Sequence, residues 1–171
     1  MLYSKIPTFK KDLVHVIIET PQGSTHKYTY DPDMDVFILK KTMPIGSSFP
    51  FDFGFIPNTL AEDGDPLDVL VIMNEPAYPG CLVACRLLGV LEARQRERDG
   101  REMRNDRIVA VPNSSIMYAD IKQLSDLGKN MEEQIANFFV HYNDQSGKKF
   151  MPIQWSDAAK AMELIKNSEL K

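Results

Sequence analysis

The hydrophobic period of this chain changes once, near Leu127, and that change sets the class of fold open to it. Ahead of it, apolar residues come in short runs of period two or β-branched character, broken by Gly, Pro, Asn and Asp. Residues 13–20 (LVHVIIET), 26–31 (HKYTYD) and 35–40 (DVFILK) read as strands. Residues 48–59 (SFPFDFGFIPNT) place Phe49, Phe51, Phe53 and Phe55 at period two, a strand with one aromatic face. Residues 66–73 (PLDVLVIM) form another strand, and 81–98 and 101–112 flank Asp99-Gly100, a hairpin signal. From Leu127, the positions Met131, Ile135, Phe138, Phe139 and Tyr142 keep a helical stripe, with Gly147 just beyond. Residues 156–167 (SDAAKAMELIKN) predict a second helix, with Ser156 as N-cap and Asp157 in the first turn. Short strands with frequent turns favour a closed or nearly closed barrel, so the expectation is α+β, a β-barrel with helices outside it.

The 171 residues suit one domain over 1–171. A domain of that size buries roughly 70% of its unfolded surface and needs no metal or disulfide merely to fold. A net charge of -4 with no long basic run argues against nucleic-acid and membrane surfaces as partners. Cys81 and Cys85 stand too far apart along a strand to bond, and read as small buried apolar residues in a reducing compartment. No apolar run reaches signal-peptide or membrane-spanning length, so a cytoplasmic protein is expected. His15, His26 and His141 match no metal spacing.

Residues 62–71 (EDGDPLDVLV) carry the chemistry. Asp63, Asp65 and Asp68 fall within six positions, and carboxylates this close repel unless a cation sits among them. Asp, Gly and Pro alone would make a turn before a strand. Asp68, however, lies inside an apolar strand, where an unpaired charge is costly. An EF-hand loop is excluded, because Leu67, Asp68 and Asn74 occupy positions where it needs an oxygen ligand, Gly and Glu. What remains is a hard-cation site of the Mg²⁺ type, sharing carboxylates with a phosphate-bearing substrate.

At this point the sequence resembles the family I soluble inorganic pyrophosphatases. DGDPLDVLV is similar to their signature. VIIET with HKY, FPFDFGFIPNT, RNDRIVAVP and QIANFFVHYN resemble further family segments, in order, over roughly residues 13–145. The resemblance implies a five-stranded OB-type barrel with flanking helices that cleaves diphosphate to two phosphates with several Mg²⁺ ions. It implies a homo-oligomer, a hexamer in many bacterial members. Metal ions would bridge an acidic cavity to an anionic substrate and acidify the attacking water. It also implies Asp63, Asp65 and Asp68 as metal ligands, with Asp65 also the base that orients that water. Glu19 would face the outer metals, and Asp99 at the hairpin tip and Asp106 would be further ligands. Lys27, Lys41, Tyr142 and Arg107 would grip phosphate.

Several positions depart from the family pattern. Thr29 replaces an acid, Lys41 an Arg, Phe53 a Tyr, Arg107 a Lys and Asn143 a Lys. Asn105 falls where the family has a metal-bridging Asp, with Asp106 one place on. Phosphate contacts therefore weaken more than metal ligands do, and the arginines of residues 92–104 are candidate substitutes. Two alternatives stand beside a Mg²⁺-dependent diphosphatase. One is a weakened or inactive relative that binds phosphate or nucleotide. The other is a hydrolase of an organic phosphoanhydride.

Overall fold

A computed structural model describes residues 3–170. In chain order the elements are β1 (Phe9–Lys10), β2 (Leu13–Thr20), β3 (His26–Asp31), β4 (Val36–Thr42), β5 (Asp52–Phe55), β6 (Asp68–Val71), β7 (Leu82–Arg96), β8 (Glu102–Arg104), β9 (Arg107–Pro112), α1 (Met131–Asp144), β10 (Lys149–Asp157) and α2 (Ala158–Ser168). The ladder runs β2-β5-β6-β9-β7 and closes where β7 pairs back onto β2. Only β6 and β9 are parallel. This is the expected five-stranded OB-type barrel, and closure leaves its strands without free edges. β7 is long enough to pair β2 with its first half and β8 and β10 with its second. The β3–β4 hairpin is a separate two-stranded sheet.

The period-two pattern splits the core in two. Val69 and Val71 join one cluster with Val14, Val16, Val90 and Ile108, while Leu70 between them joins another with Phe49, Phe53, Leu91 and Val109. Helix α1 covers the second with Ile135 and Phe139, and α2 covers the first with Ala161 and Ile165. Each large side chain so buried contributes about 1.5–3 kcal/mol. Where β2 and β5 meet, a Cβ on Gly54 would lie 2.1 Å from the Ile17 carbonyl oxygen, so this approach requires glycine.

Four expectations need correction. The aromatic strand is regular only over Asp52–Phe55. Pro50 and Pro57 have no N–H for a ladder, although Phe49 is still buried. Residues 101–112 do not form one strand but β8 and β9, parted at Asn105 and Asp106. β10 was not foreseen, since KFMPIQWSD carries Pro152 and no clean alternation. Because β10 takes Ser156 and Asp157, α2 starts at Ala158, and its N-cap is Asp157, not Ser156. The Asp157 side chain accepts from Lys160 N at 2.9 Å, while the Ser156 hydroxyl donates to Glu92. Among the described residues no helix is long and apolar enough to cross a membrane.

Candidate active site

The starts of β6 and β9, the β3–β4 hairpin, the far end of β7 and the last turns of α1 enclose a cleft of about 1010 Å³. Glu19, Asp63, Asp65 and Asp68 all line it, as do Lys27, Lys41, Arg107 and Tyr142. Sequence separations of up to 123 residues collapse here because β2, β3, β4, β6, β9 and α1 all contribute polar side chains to one lining.

The acidic loop is shaped by local geometry. Gly64 adopts φ +89, and the Asp65 N–H donates to Asp63 Oδ1 at 3.1 Å, an Asx turn that presents Asp65 at the surface. Desolvation pushes the Asp63 carboxyl above its ordinary pKa, and Asp68 and Asp65 add to the shift. Glu19, at the buried end of β2, accepts from Tyr30 N at 2.8 Å and from the Thr29 hydroxyl at 3.0 Å. Burial pushes its pKa up to about 7 against those bonds and the pull of Lys27. Thr29 therefore lines the cleft with its hydroxyl committed to Glu19.

The cations are held without an anion of their own at the tip. Lys27 and Lys41 are direct cross-strand partners beside a bulge in the β3–β4 ladder, and like charges so placed repel. Both lean on one ring. The Lys41 Nζ lies 3.9 Å and the Lys27 Nζ 5.6 Å from the centroid of Tyr142. Lys27 also lies 4.9 Å from the Phe53 ring, so the aromatic that replaces a tyrosine contributes its π face. Burial lowers the Lys27 pKa, with Asp68 and Glu19 opposing. Lys41 donates to the Ser146 hydroxyl at 2.7 Å, and burial raises the Tyr142 pKa. Asn143 lines the cleft, but its side chain donates to Phe139 O at 2.8 Å and does not replace a lysine.

A continuous polar wall faces the acidic loop. Arg107 pairs with Asp68 at 2.6 Å and donates from the same Nη1 to Asn105 Oδ1. Asn105 Nδ2 donates to Gln95 Oε1 at 3.0 Å, Gln95 donates to Glu97 at 2.5 Å, and Lys148 pairs with Glu97 at 2.8 Å. The guanidinium lies 5.0 and 5.4 Å from the Phe139 and Phe150 rings. Its Nε is buried with no hydrogen-bond acceptor among the described residues, a deficit of about 1–3 kcal/mol. Gln95, Glu97 and Lys148 escaped the sequence reading. The signal was present in β7, where Ala93 and Gln95 share a face opposite Glu92, Arg94 and Arg96.

Two expected ligands fall outside the cleft lining. Asp99 is exposed at the hairpin tip and paired with Arg101 at 2.7 Å. Asp106 is buried on the far side of the strand, where Oδ1 accepts from Ala93 N at 2.9 Å and pairs with Arg104 Nε at 2.6 Å. Adjacent residues of extended chain point to opposite faces, so Asn105 lines the cleft and Asp106 does not. Of the hairpin arginines only Arg101 reaches the cleft; Arg94 and Arg96 pair with Glu102, Arg98 donates to Ser146 O, and Arg104 bridges Glu92 and Asp106.

The donor set fits a hard divalent cation. Glu19, Asp63, Asp65 and Asp68 offer only oxygen, and burial raises the Glu19 and Asp63 carboxyls. Among the described residues no three acid, His or Cys side chains converge closely enough to cage an ion alone.

Comparison with known proteins agrees with this geometry. The family model described as inorganic pyrophosphatase matches residues 16–170. The inorganic pyrophosphatase of Nostoc sp. is 38% identical over 166 residues, covering 96% of this chain and 95% of the relative. That of Halalkalibacterium halodurans is 40% identical over 153 residues, covering 90% and 91%. The crystal structure of the Thermus thermophilus inorganic pyrophosphatase superposes with a TM-score of 0.86 at 32% identity, covering 97% of this chain and 95% of that one.

Proposed function

Because this chain belongs to the inorganic pyrophosphatase family and is thus a divalent-metal-dependent enzyme that hydrolyses diphosphate to two phosphates, we propose roles for its cleft residues, with Mg²⁺ as the ion. Asp63, Asp65, Asp68 and Glu19 hold the metal ions. When bound, these neutralise the substrate and acidify the attacking water. Asp65, presented by its Asx turn, orients a water on one phosphorus and takes its proton. As the new P–O bond forms, the bridging P–O bond breaks and its electrons leave on the second phosphate. Lys27, Lys41 and Tyr142 grip that phosphate, and Arg107 stabilises charge developing beside Asp68. The observation that carries this assignment is the opposed pair of lysines. Lys27 and Lys41 face each other across a hairpin, share one aromatic ring, and line the same cleft as four carboxylates. Such a site attracts an anion on one side and cations on the other.

Exposed Leu82, Ile116 and Met117 border a second groove of about 870 Å³ and support a homo-oligomer. The two free thiols, one buried, suit a cytoplasmic setting. Phosphate release from diphosphate and from nucleoside triphosphates, with Mg²⁺, Ca²⁺ or chelator, tests the assignment. Rapid release from diphosphate alone, with Mg²⁺ alone, is expected. Full hydrolysis in chelator overturns it.

A further inference from the structure

We propose that the Arg107 guanidinium takes the place of one divalent cation in this cleft, so that part of the positive charge facing the substrate belongs to the chain. The inference rests on the diphosphatase assignment and concerns how many ions that chemistry uses here. The wall opposite the acidic loop runs Asp68, Arg107, Asn105, Gln95, Glu97, Lys148 without a break. Its centre is two amides, which bring no net charge to attract a metal. Their oxygens are already engaged, Asn105 Oδ1 by Arg107 and Gln95 Oε1 by Asn105. Any ion joining Asp68 Oδ2 to this wall would have to displace Arg107 Nη1 at 2.6 Å.

That displacement is opposed by how the guanidinium is held. Its side chain is 6% exposed and lies against Phe139 and Phe150. Arg stays charged at any working pH, so an ion at this wall meets a permanent positive neighbour. Glu19, Asp63 and Asp65, by contrast, line the cleft without an ion pair among the described residues. Ion binding is thereby confined to the acidic loop and Glu19.

Equilibrium dialysis of Mn²⁺, with and without the unreactive analogue imidodiphosphate, tests this. Gln95→Glu/Asn105→Asp, which preserves shape and adds two carboxylates while Arg107 stays in place, should bind no more Mn²⁺ per chain than the wild type when imidodiphosphate is present. Arg107→Met, which keeps contact with both rings and frees Asp68, should bind Mn²⁺ at least tenfold more tightly without the analogue. Thermal melts check that each variant folds; should Arg107→Met not fold, the near-isosteric double variant decides. An added Mn²⁺ in the double variant, or no gain in affinity in folded Arg107→Met, overturns the proposal. Neither readout needs turnover, so a wild type that releases no phosphate from diphosphate would overturn the diphosphatase assignment and leave the ion count to be judged on its own.

Discussion

Asp106→Ala should cost stability and spare turnover. The Asp106 carboxylate replaces a ladder bond at the break between β8 and β9, accepting from Ala93 N at 2.9 Å. Truncation leaves that buried N–H unpaired, which costs about 1–3 kcal/mol. The pair with Arg104 at 2.6 Å is also lost, but Arg104 is partly exposed and keeps Glu92, so this adds less than about 1 kcal/mol. Together the loss is about 1–4 kcal/mol. A domain of this size loses about 2–4 °C in Tm per kcal/mol, so a fall of about 2–16 °C is expected. Asp106→Asn keeps an acceptor for Ala93 N and should recover most of it. Differential scanning calorimetry gives Tm, and phosphate release at saturating Mg²⁺, well below either transition, gives kcat. Lost turnover with an unchanged Tm would refute the argument, because it would mean that Asp106 and not Asn105 faces the metal ions.

Asp65→Asn should lower kcat more than tenfold with little change in KM, since a base acts on the transition state while cations hold the ground state; a raised KM at full kcat would make Asp65 a ligand only. Burial raises the folded-state pKa of Glu19 to about 7 from its ordinary value of 4.5, so the folded protein holds a proton that the unfolded chain has released between those values. Stability is therefore highest below the lower pH and falls as pH rises through about 7, by up to roughly 3 kcal/mol in chelator. Glu19→Gln should flatten that part of the stability profile measured by urea unfolding, and a slope unchanged in the variant would count against it. Gly54→Ala should prevent soluble expression or lower Tm by more than about 5 °C, because its Cβ would sit 2.1 Å from the Ile17 oxygen; a wild-type melt would show that β2 and β5 can part there.

The period change near Leu127, the β-branched runs and the Asp99-Gly100 turn carried the α+β class and the barrel, because hydrophobic periodicity is a local record of which face is buried. DGDPLD carried the acidic loop for a related reason: Asp68 has no place in an apolar strand unless something binds it. Such signals are complete within a few residues. β10 was not legible, since its partner β7 lies over fifty residues away and its own pattern is irregular. Gln95 was hidden in the same way, as one polar residue in a charged hairpin, until Asn105 met it from the neighbouring segment.

The sequence by itself therefore determined which chemistry this chain carries: oxygen ligands in a tight loop, cations spread along the strands, and a barrel to join them. Only the tertiary structure decided which side of each strand meets that chemistry. It turned Asn105 into the cleft and Asp106 away, left Asp99 in solvent, and set Lys27 opposite Lys41 under Tyr142. The physical reason is that facing depends on register, and a side-chain period of two reverses with a single residue of slip. Register in turn is set by partners distant in sequence, here Ala93 holding Asp106 and Asp68 holding Arg107.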